Sequence, residues 1–294
     1  MTPLRQKMLE ELQRRNYSQA TIRGYILAVK QFAEYFHKSP DLLGAEEVRQ
    51  FQLYLLNDRK LAPSTVGIRM SALRFFYWKT LKRRDTTFDD MLIPKKQEKL
   101  PVVLSPDEVK ALIEAASTPT YYTILTVLYG TGMRRTEASR LMVSDIDSER
   151  MVIHIHQGKG GRDRDVPMTP NLLSALRQYW RFKQPKTYLF PTPYAEGSDQ
   201  EQPISDKTVW YAVKDAAKRA GIAKKIGPHT LRHSFATHLM ESGADLRTIQ
   251  LLLGHARLDH TLVYLHLSQR HLKAAINPLD QLGLKPPLDD DEKP

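Results

Sequence analysis

The chain has 294 residues, no cysteine, and 44 Lys and Arg against 33 Asp and Glu, which gives a net charge of +11. At roughly 150 residues per domain, this length predicts two domains. The lack of cysteine excludes disulfides, thiolate zinc sites, iron–sulfur clusters and cysteine nucleophiles. No apolar run reaches the ~18–20 residues of a membrane span, and residues 1–10 contain no apolar signal core, so we expect a cytoplasmic protein. The positive charge indicates a polyanionic partner, most plausibly nucleic acid.

The first ~85 residues predict helices only. Ser18 is a candidate N-cap for a helix with apolar residues at helical spacing over 22–36, and we expect Pro40 to end that segment. A second helix is predicted over 45–56, and Pro63 opens a third. The apolar face predicted for the third helix comprises Ile68, Leu73, Phe76 and Tyr77. The basic residues near it, which we expect to contact phosphates of the polyanionic partner, are Arg69, Arg74, Lys79, Lys82, Arg83 and Arg84.

Residues 85–104 predict a linker, because prolines and charged residues follow one another there with little periodicity. A second domain begins at Ser105-Pro106-Asp107-Glu108, which combines an N-cap, a proline at the first helical position and acids in the first turn. Helices are predicted near 105–116, 120–129 and 134–141, followed by a β-hairpin over 151–166 with a glycine-rich turn.

The predicted fold class is therefore α+β and mainly α. It consists of a helical domain, a linker, a mixed α/β domain with a small antiparallel sheet, and an acidic tail, at residues 1–84, 85–104, 105–282 and 283–294.

The residues best suited to chemistry lie between 227 and 264. A helix is predicted from Gly227-Pro228, and the three-residue spacing of His229 and Arg232 places both side chains on one face near its N-terminus, an arrangement that suits an anion. A short helix is predicted over 245–253. Gly254 then suits the left-handed position after a helix, which turns His255 away from the helix axis.

Other chemistries fit this sequence less well. Seven of the ten histidines lie between His229 and His271, but Thr230 occupies the glutamate position of a metalloprotease motif. No carboxylate stands beside these histidines, so we predict no metal site. Gly158-Lys159-Gly160 lacks the Walker spacing, so ATP hydrolysis and other cofactors are not expected, and no Gly-x-Ser-x-Gly motif indicates a hydrolase.

The run from His229 through Arg232 and His233, the later Leu-Leu-Gly-His255, and Tyr264 together resemble the tyrosine recombinase (phage integrase) family, especially its compact Xer-like members. Upstream, residues 130–137 resemble the segment that supplies the family's first arginine, and residues 158–160 resemble its lysine-bearing β-turn. These five matches occur in family order and spacing. The resemblance is specific over about 105–268, whereas over 1–85 only helical pattern and basicity agree with a SAM-like core-binding domain.

The resemblance implies that Tyr264 cuts one DNA strand, leaves a 3′-phosphotyrosyl bond and a free 5′-hydroxyl, and then allows rejoining to another strand without ATP or metal. A phenol has a pKa near 10, so its proton must be taken or its anion stabilised. Arg134 and Arg232 match the arginines that hold the scissile phosphate, for which guanidinium groups are well suited because they bind phosphate bidentately and stay charged.

The remaining matches have supporting roles by the same resemblance. His229 and His255 assist the phosphate and proton transfer, and Lys159 protonates the leaving 5′-oxygen. Glu137, three residues after Arg134 on one helix face, orients the neighbouring side chains. For His233 we expect packing or a hydrogen bond to one of the active-site groups.

The predicted function is site-specific recombination of double-stranded DNA, held between the two domains, by a homo-tetramer on paired sites near the nucleoid. A second recombinase or an accessory protein is a possible partner. Chromosome dimer resolution, integration of phage or mobile elements, and inversion stay open as roles, as does exchange of the C-terminal segment between protomers. The alternatives are a type IB topoisomerase-like relaxing enzyme and a non-catalytic DNA-binding protein.

Overall fold

The computed structural model describes residues 2–83, 100–156, 163–192, 201–255, 257–265 and 267. The chain divides into two compact units, residues 1–99 and 100–294. Most of the linker predicted over 85–104 and the acidic tail lie outside the described residues. The C-terminal end of that linker belongs instead to the second unit, because the apolar side chain of Leu104 is fully buried there and its backbone N–H donates to Ser234 Oγ at 2.9 Å.

In residues 2–83 of the first unit, all the regular secondary structure is helical. Its helices are α1 (Pro3–Gln13), α2 (Gln19–Phe36), α3 (Ala45–Asn57) and α4 (Pro63–Phe75), and α4 continues into a π-helical turn, Phe76–Thr80. Ser18 caps α2 as predicted, since its hydroxyl accepts from the backbone N–H of Thr21. A left-handed residue, His37, follows the last turn of α2, and Pro40 opens a short 3-10 turn.

One predicted core position of α4 is wrong. Ile68 is 58% exposed, whereas Val66, Met70 and Leu73 are fully buried. Those three residues follow one another at intervals of four and three, and therefore define one helix face. Ile68 is two residues from both Val66 and Met70, which turns its side chain about 200° away from that face.

The second unit combines helices with a three-stranded sheet. Its helices before the sheet are α5 (Pro106–Glu114), α6 (Pro119–Thr131) and α7 (Arg135–Ser139). The strands are β1 (Ile146–Asp147), β2 (Val152–Ile155) and β3 (Arg164–Pro167). The helices after the sheet are α8 (Pro170–Lys183), α9 (Asp206–Arg219), α10 (Pro228–Glu241), α11 (Leu246–Leu253) and α12 (Asp259–Leu262).

Helix α6 lies at the centre of the second unit and packs against α5, α7, α8, α9 and α10. This position follows from its sequence, which is apolar on nearly all sides: Ile124, Leu125, Val127 and Leu128 are all fully buried. The helix ends at Gly132, whose left-handed backbone (φ 61°) turns the chain toward Arg134. Arg134, the first candidate arginine, therefore lies directly after the central helix of the core.

The sheet is antiparallel with strand order β1-β2-β3. The β2–β3 hairpin was predicted, but β1 was not, because a two-residue strand carries no periodicity of its own. In the hairpin, the buried pair Ile153 and Val166 faces the core, while the next pair, His154 and Asp165, faces outward with its side chains 2.7 Å apart. The predicted fold class, mainly helical with a small antiparallel sheet, is confirmed.

Helices α10 and α11 form a further apolar cluster that includes Ile249, Leu253 and Tyr264. The Asp245 carboxylate caps α11 by accepting from the N–H groups of Arg247 and Thr248. Gly254 ends this helix with φ 63°, as the sequence predicts. In the part of the chain that the structure describes, no helix has the length and apolar character needed to cross a membrane.

Replacing Ser234 with Ala tests how residues up to 104 are anchored in the second unit. The substitution leaves the buried N–H of Leu104 without its acceptor, which costs about 1–3 kcal/mol of unfolding free energy. Urea unfolding measures this loss. Ser242→Ala is the matched control on the same helix, because its exposed hydroxyl donates only to the carbonyl four residues earlier. Equal stability of the two variants would contradict the anchoring role.

Candidate active site

Three arginines meet at the C-terminal end of α11. Arg164 Nε donates to the carbonyl oxygen of Leu252 at 2.8 Å, Arg232 Nη2 to that of Leu253 at 2.6 Å, and Arg134 Nη2 to that of Gly254 at 3.3 Å. The last carbonyls of a helix lack partners within the helix and carry its negative partial charge, so guanidinium groups satisfy them favourably. The end of one short helix thus gathers residues that lie up to 120 positions apart in the sequence.

Glu137 joins two of these arginines. Its carboxylate accepts from Arg134 Nη1 at 2.7 Å and from Arg164 Nη2 at 2.7 Å, and also from the backbone N–H of Arg134 at 2.8 Å. Burial opposes ionisation of Glu137, but the hydrogen bonds and positive charges of Arg164 and Arg134 outweigh burial and lower its pKa to about 2. Glu137 is therefore a buried, ionised carboxylate that binds both Arg134 and Arg164.

Arg232 is the most deeply buried of the three arginines, and its other contact is with the carbonyl oxygen of Gly132 at 2.7 Å. Burial and the neighbouring Arg134 charge lower the pKa of Arg232 to about 10, so it remains positive at neutral pH. The left-handed turn at Gly132 has no room for a side chain, because a Cβ would lie 2.4 Å from the Phe235 ring. This close packing fixes the carbonyl that holds Arg232.

His255 follows directly on the end of α11. Its Nδ1 lies 2.9 Å from Thr261 Oγ1, and its ring is nearly parallel to that of Tyr264, with centroids 6.4 Å apart. Burial, followed by the charges of Arg232 and Arg134, lowers the pKa of His255 to about 3. His255 is therefore neutral at physiological pH.

The Tyr264 side chain is almost fully buried, with 1% of the residue exposed, and its hydroxyl lies 3.1 Å from His233 Nδ1. Burial raises the pKa of Tyr264, and the positive charges of Arg232 and Arg134 oppose this rise. Burial, then His229 and Arg232, lowers the pKa of His233 to about 4. A neutral phenol thus lies against a neutral imidazole beside a group of fixed positive charges.

His229 lies one helical turn before His233 on α10, and their ring centroids are 6.5 Å apart. Partial desolvation and then the positive charge of Arg232 lower its pKa, although the residue remains exposed. His229 is therefore an uncharged and accessible group on the solvent side of the arginine cluster.

Both units of the chain match known protein families. Residues 102–271 match the Phage integrase family, and residues 4–86 match the Phage integrase, N-terminal SAM-like domain. The protein y4qK of Sinorhizobium fredii, whose name places it among integrases and recombinases, is 44% identical over 294 residues, covering 100% of this chain and 94% of that protein. Tyrosine recombinase XerA of Pyrococcus furiosus is 35% identical over 281 residues, covering 93% of this chain and 94% of XerA.

The chain belongs to the tyrosine recombinase (phage integrase) family. It is a tyrosine-type site-specific recombinase, and neither the relaxing enzyme nor the non-catalytic binder is favoured. The fold also matches the structure of XerH recombinase bound to palindromic difH substrate as a post-cleavage complex, with a TM-score of 0.69 at 24% identity over 89% of this chain and 80% of XerH.

Of the residues that the sequence nominated, the structure of this recombinase brings six together near the end of α11: Arg134, Glu137, His229, Arg232, His255 and Tyr264. Lys159 and Arg84 lie outside the described residues. Among the described residues, no group of three or more His, Asp or Glu side chains is arranged to hold a metal ion.

The basic residues of the first unit form a separate set. Arg69 donates to the side chain of Gln31, and the Arg74 guanidinium lies 5.5 Å from the centre of the Trp78 ring, so both are partly engaged within the protein. Lys79, Lys82 and Arg83 are exposed, and these three are therefore the more accessible candidates for phosphate contact.

Sequence analysis missed two polar side chains of the site. Arg164 was not singled out, although its position five residues after Lys159, on the inward side of a predicted strand, could have marked it as a buried charge needing a partner. Thr261 was not singled out either. It lies three residues before Tyr264 in α12, a four-residue helix that is too short for its periodicity to be recognised.

Replacing Glu137 with Gln tests the electrostatic basis of the arginine cluster. The low pKa means that the carboxylate stabilises the fold above its unfolded pKa near 4.5 and that this contribution is lost as the pH falls toward about 2. We expect wild type to exceed Glu137→Gln by about 2–3 kcal/mol in unfolding free energy at pH 7, and the difference to shrink below pH 5.

Urea unfolding at a series of pH values measures both quantities. The control is Glu149→Gln, a change at an exposed glutamate in the same unit, for which a difference within about 0.5 kcal/mol is expected. A Glu137→Gln difference that stays constant from pH 7 to pH 3 would show that shape, rather than charge, explains the effect.

Proposed function

We propose that this recombinase cuts and rejoins double-stranded DNA with Tyr264 as the nucleophile, through a 3′-phosphotyrosyl intermediate. What supports this assignment is the location of the Tyr264 hydroxyl, in contact with His233 and within the electrostatic field of Arg232 and Arg134. A simple DNA-binding protein has no need of a phenol at such a place. The XerH complex with its difH substrate, which has the same fold, supports DNA as the substrate class.

In the proposed step, the phenolic oxygen attacks the scissile phosphorus and the bond from phosphorus to the 5′-oxygen breaks. Arg134 and Arg232 each use two nitrogens on protein partners and retain further N–H donors for the phosphate oxygens. Their positive charge stabilises the negative charge that develops on the phosphoryl group. The carbonyls of α11 fix both guanidinium groups before DNA binds, so little reorganisation is required during the reaction.

Two further groups move protons in this proposal, and two histidines assist them. The phenolic proton passes toward the imidazole in contact with it, His233, with His255 stacked beside the same ring. Lys159 supplies a proton to the leaving 5′-oxygen, and His229 assists at the phosphate. Rejoining is the reverse reaction with a new 5′-hydroxyl, so the energy of the phosphodiester bond is conserved and neither ATP nor a metal ion takes part.

Binding and assembly complete the proposal. Lys79, Lys82 and Arg83, with Arg69, Arg74 and Arg84 around them, contact DNA phosphates through the 1–84 domain, and residues 85–99 connect it to the catalytic domain. Exchange of strands between two sites requires four active sites, so we propose a homo-tetramer on paired sites. Because DNA is the substrate, its place of action is the cytoplasm, at the nucleoid.

The central prediction is a covalent adduct that depends on Tyr264. Binding sites are first selected from a random-sequence duplex library with the Tyr264→Phe variant, which retains the DNA-binding surface but cannot form the bond. Labelled duplexes of the selected sequence, nicked at successive positions to trap the intermediate, are then mixed with wild type in EDTA and denatured. We expect an adduct with wild type and with Tyr122→Phe, a change at an exposed tyrosine, and none with Tyr264→Phe. Absence of a Tyr264-dependent adduct on every nicked duplex would overturn the proposal.

Replacing Arg232 with Lys tests the phosphate clamp. A lysine keeps the charge but cannot contact both the Gly132 and Leu253 carbonyls and still present donors to a phosphate. We expect the rate of adduct formation to fall by about 100- to 1,000-fold, with DNA affinity reduced much less. Single-turnover kinetics and gel-shift titration separate the two effects, and an unchanged rate would exclude Arg232 from the clamp.

A further inference from the structure

Arg164 is the most extensively paired cation near the site, and the mechanism proposed above does not use it. Its side chain is only 8% exposed. Its Nε donates to the Leu252 carbonyl at 2.8 Å, while Nη1 and Nη2 donate to Glu137 Oε1 and Oε2 at 3.2 and 2.7 Å. Three of its five N–H donors are therefore engaged with protein, in a fork that matches the carboxylate. This engagement makes Arg164 a poor phosphate ligand and a good structural link.

The link joins two parts of the protein that carry different reactive groups. Arg164 is the first residue of β3 and pairs with Ile155 of β2, so it stands where the hairpin leads into residues 156–163. Lys159 lies in that connecting segment, five residues before Arg164 in the sequence. At its other end, the Arg164 side chain donates to the Leu252 carbonyl, which lies at the end of α11. It also donates to Glu137, which accepts a second hydrogen bond from the guanidinium group of Arg134.

The packing around Arg164 is close. A Cβ at residue 254 would lie 3.0 Å from Arg164 Cδ and 3.1 Å from its Nη1, so the absence of a side chain at Gly254 leaves the space that the arginine occupies. The same residue has φ 63°, so both its backbone and its size suit glycine. Its carbonyl also accepts from Arg134. Gly254 thus contacts both Arg164 of the hairpin and Arg134 of the arginine cluster.

We propose that Arg164 is a positioning residue: it links β3, the strand that follows Lys159 in the sequence, to the end of α11 and to Glu137, and so holds the paired strands β2 and β3 beside the phosphate-binding arginines. This inference rests on the proposed function, because it concerns the step in which Lys159 protonates the leaving 5′-oxygen. Arg164 itself does not touch the substrate. Its removal therefore impairs leaving-group protonation more than attack by Tyr264, since Arg134 and Arg232 keep their own contacts with the α11 carbonyls.

This distinction can be measured with a substrate whose leaving group needs no proton. A duplex in which sulfur replaces the bridging 5′-oxygen at the cut site releases a thiolate, which departs readily without protonation. The selected duplex from the previous section is made in the oxygen and sulfur forms. Single-turnover rates of adduct formation are then compared for wild type, Arg164→Met and Arg164→Lys.

On the oxygen duplex we expect Arg164→Met to be about 10- to 100-fold slower than wild type, which is the usual effect of removing a residue that orients a reactive group. On the sulfur duplex we expect it to come within about 3-fold of wild type, as also expected for Lys159→Ala. Arg164→Lys, which can keep one of the two links, should have an intermediate rate on oxygen and a normal rate on sulfur.

Asp165→Asn is the matched control. It changes the neighbouring strand residue, whose side chain faces outward to His154, and weakens the same hairpin without touching α11 or Glu137. Its rate on the oxygen duplex should stay within about 2-fold of wild type. Thermal melting of every variant shows whether it is folded, and Arg164→Lys carries the test if Arg164→Met does not fold.

The possible outcomes separate this inference from the proposed function. If wild type forms no Tyr264-dependent adduct, the proposed function fails. If it forms the adduct and the Arg164 variants match wild type on oxygen, only the positioning role is wrong. An equal defect on oxygen and sulfur would also overturn it, because Arg164 would then act through Glu137 and Arg134 on the phosphate rather than through the hairpin.

Discussion

The candidate active site depends on the carbonyls at the end of α11, which have no hydrogen-bond partner within the helix. Leu252, Leu253 and Gly254 present three consecutive carbonyl oxygens, and each accepts a hydrogen bond from a different arginine. A helix of eight residues can do this because Asp245 caps its start, Gly254 turns the chain at its end, and Ile249 and Leu253 anchor it in the apolar cluster with α10. The positions of the three guanidinium groups therefore depend on backbone carbonyls rather than on direct contacts among the candidate catalytic side chains.

Three guanidinium groups near one carboxylate leave excess positive charge, which adds to the effect of burial on the neighbouring histidines. Burial is the main cause of the low pKa values of His233 and His255, about 4 and about 3; His229 and Arg232 lower the first further, and Arg232 and Arg134 the second. Both rings are therefore neutral at physiological pH. Glu137 prevents the cluster from being more positive still, and its burial makes the pairing with Arg134 and Arg164 necessary.

The sequence predicted the local features well because each has a local cause. The cap at Ser18, the capped start at Ser105, the hairpin and the turn at Gly254 all follow from residues within a few positions of one another. The contacts of Arg164 and His233 were not predicted in detail, because their partners lie 27 to 88 and 31 residues away and no periodicity specifies such distances. Ile68 was wrongly predicted to face the core, because the identity of an apolar residue does not show which face of a short helix it occupies.

The same electrostatics bears on the proposed attack by Tyr264. Burial raises the pKa of the Tyr264 phenol and lowers that of His233 to about 4, so complete transfer of the phenolic proton to His233 before attack is unfavourable. In the proposed step, negative charge therefore passes from the phenolic oxygen onto a phosphoryl group held by Arg134 and Arg232 while the proton moves, so that bond formation and proton transfer proceed together. In this proposal the arginines act on the charge that the phosphoryl group carries in the transition state.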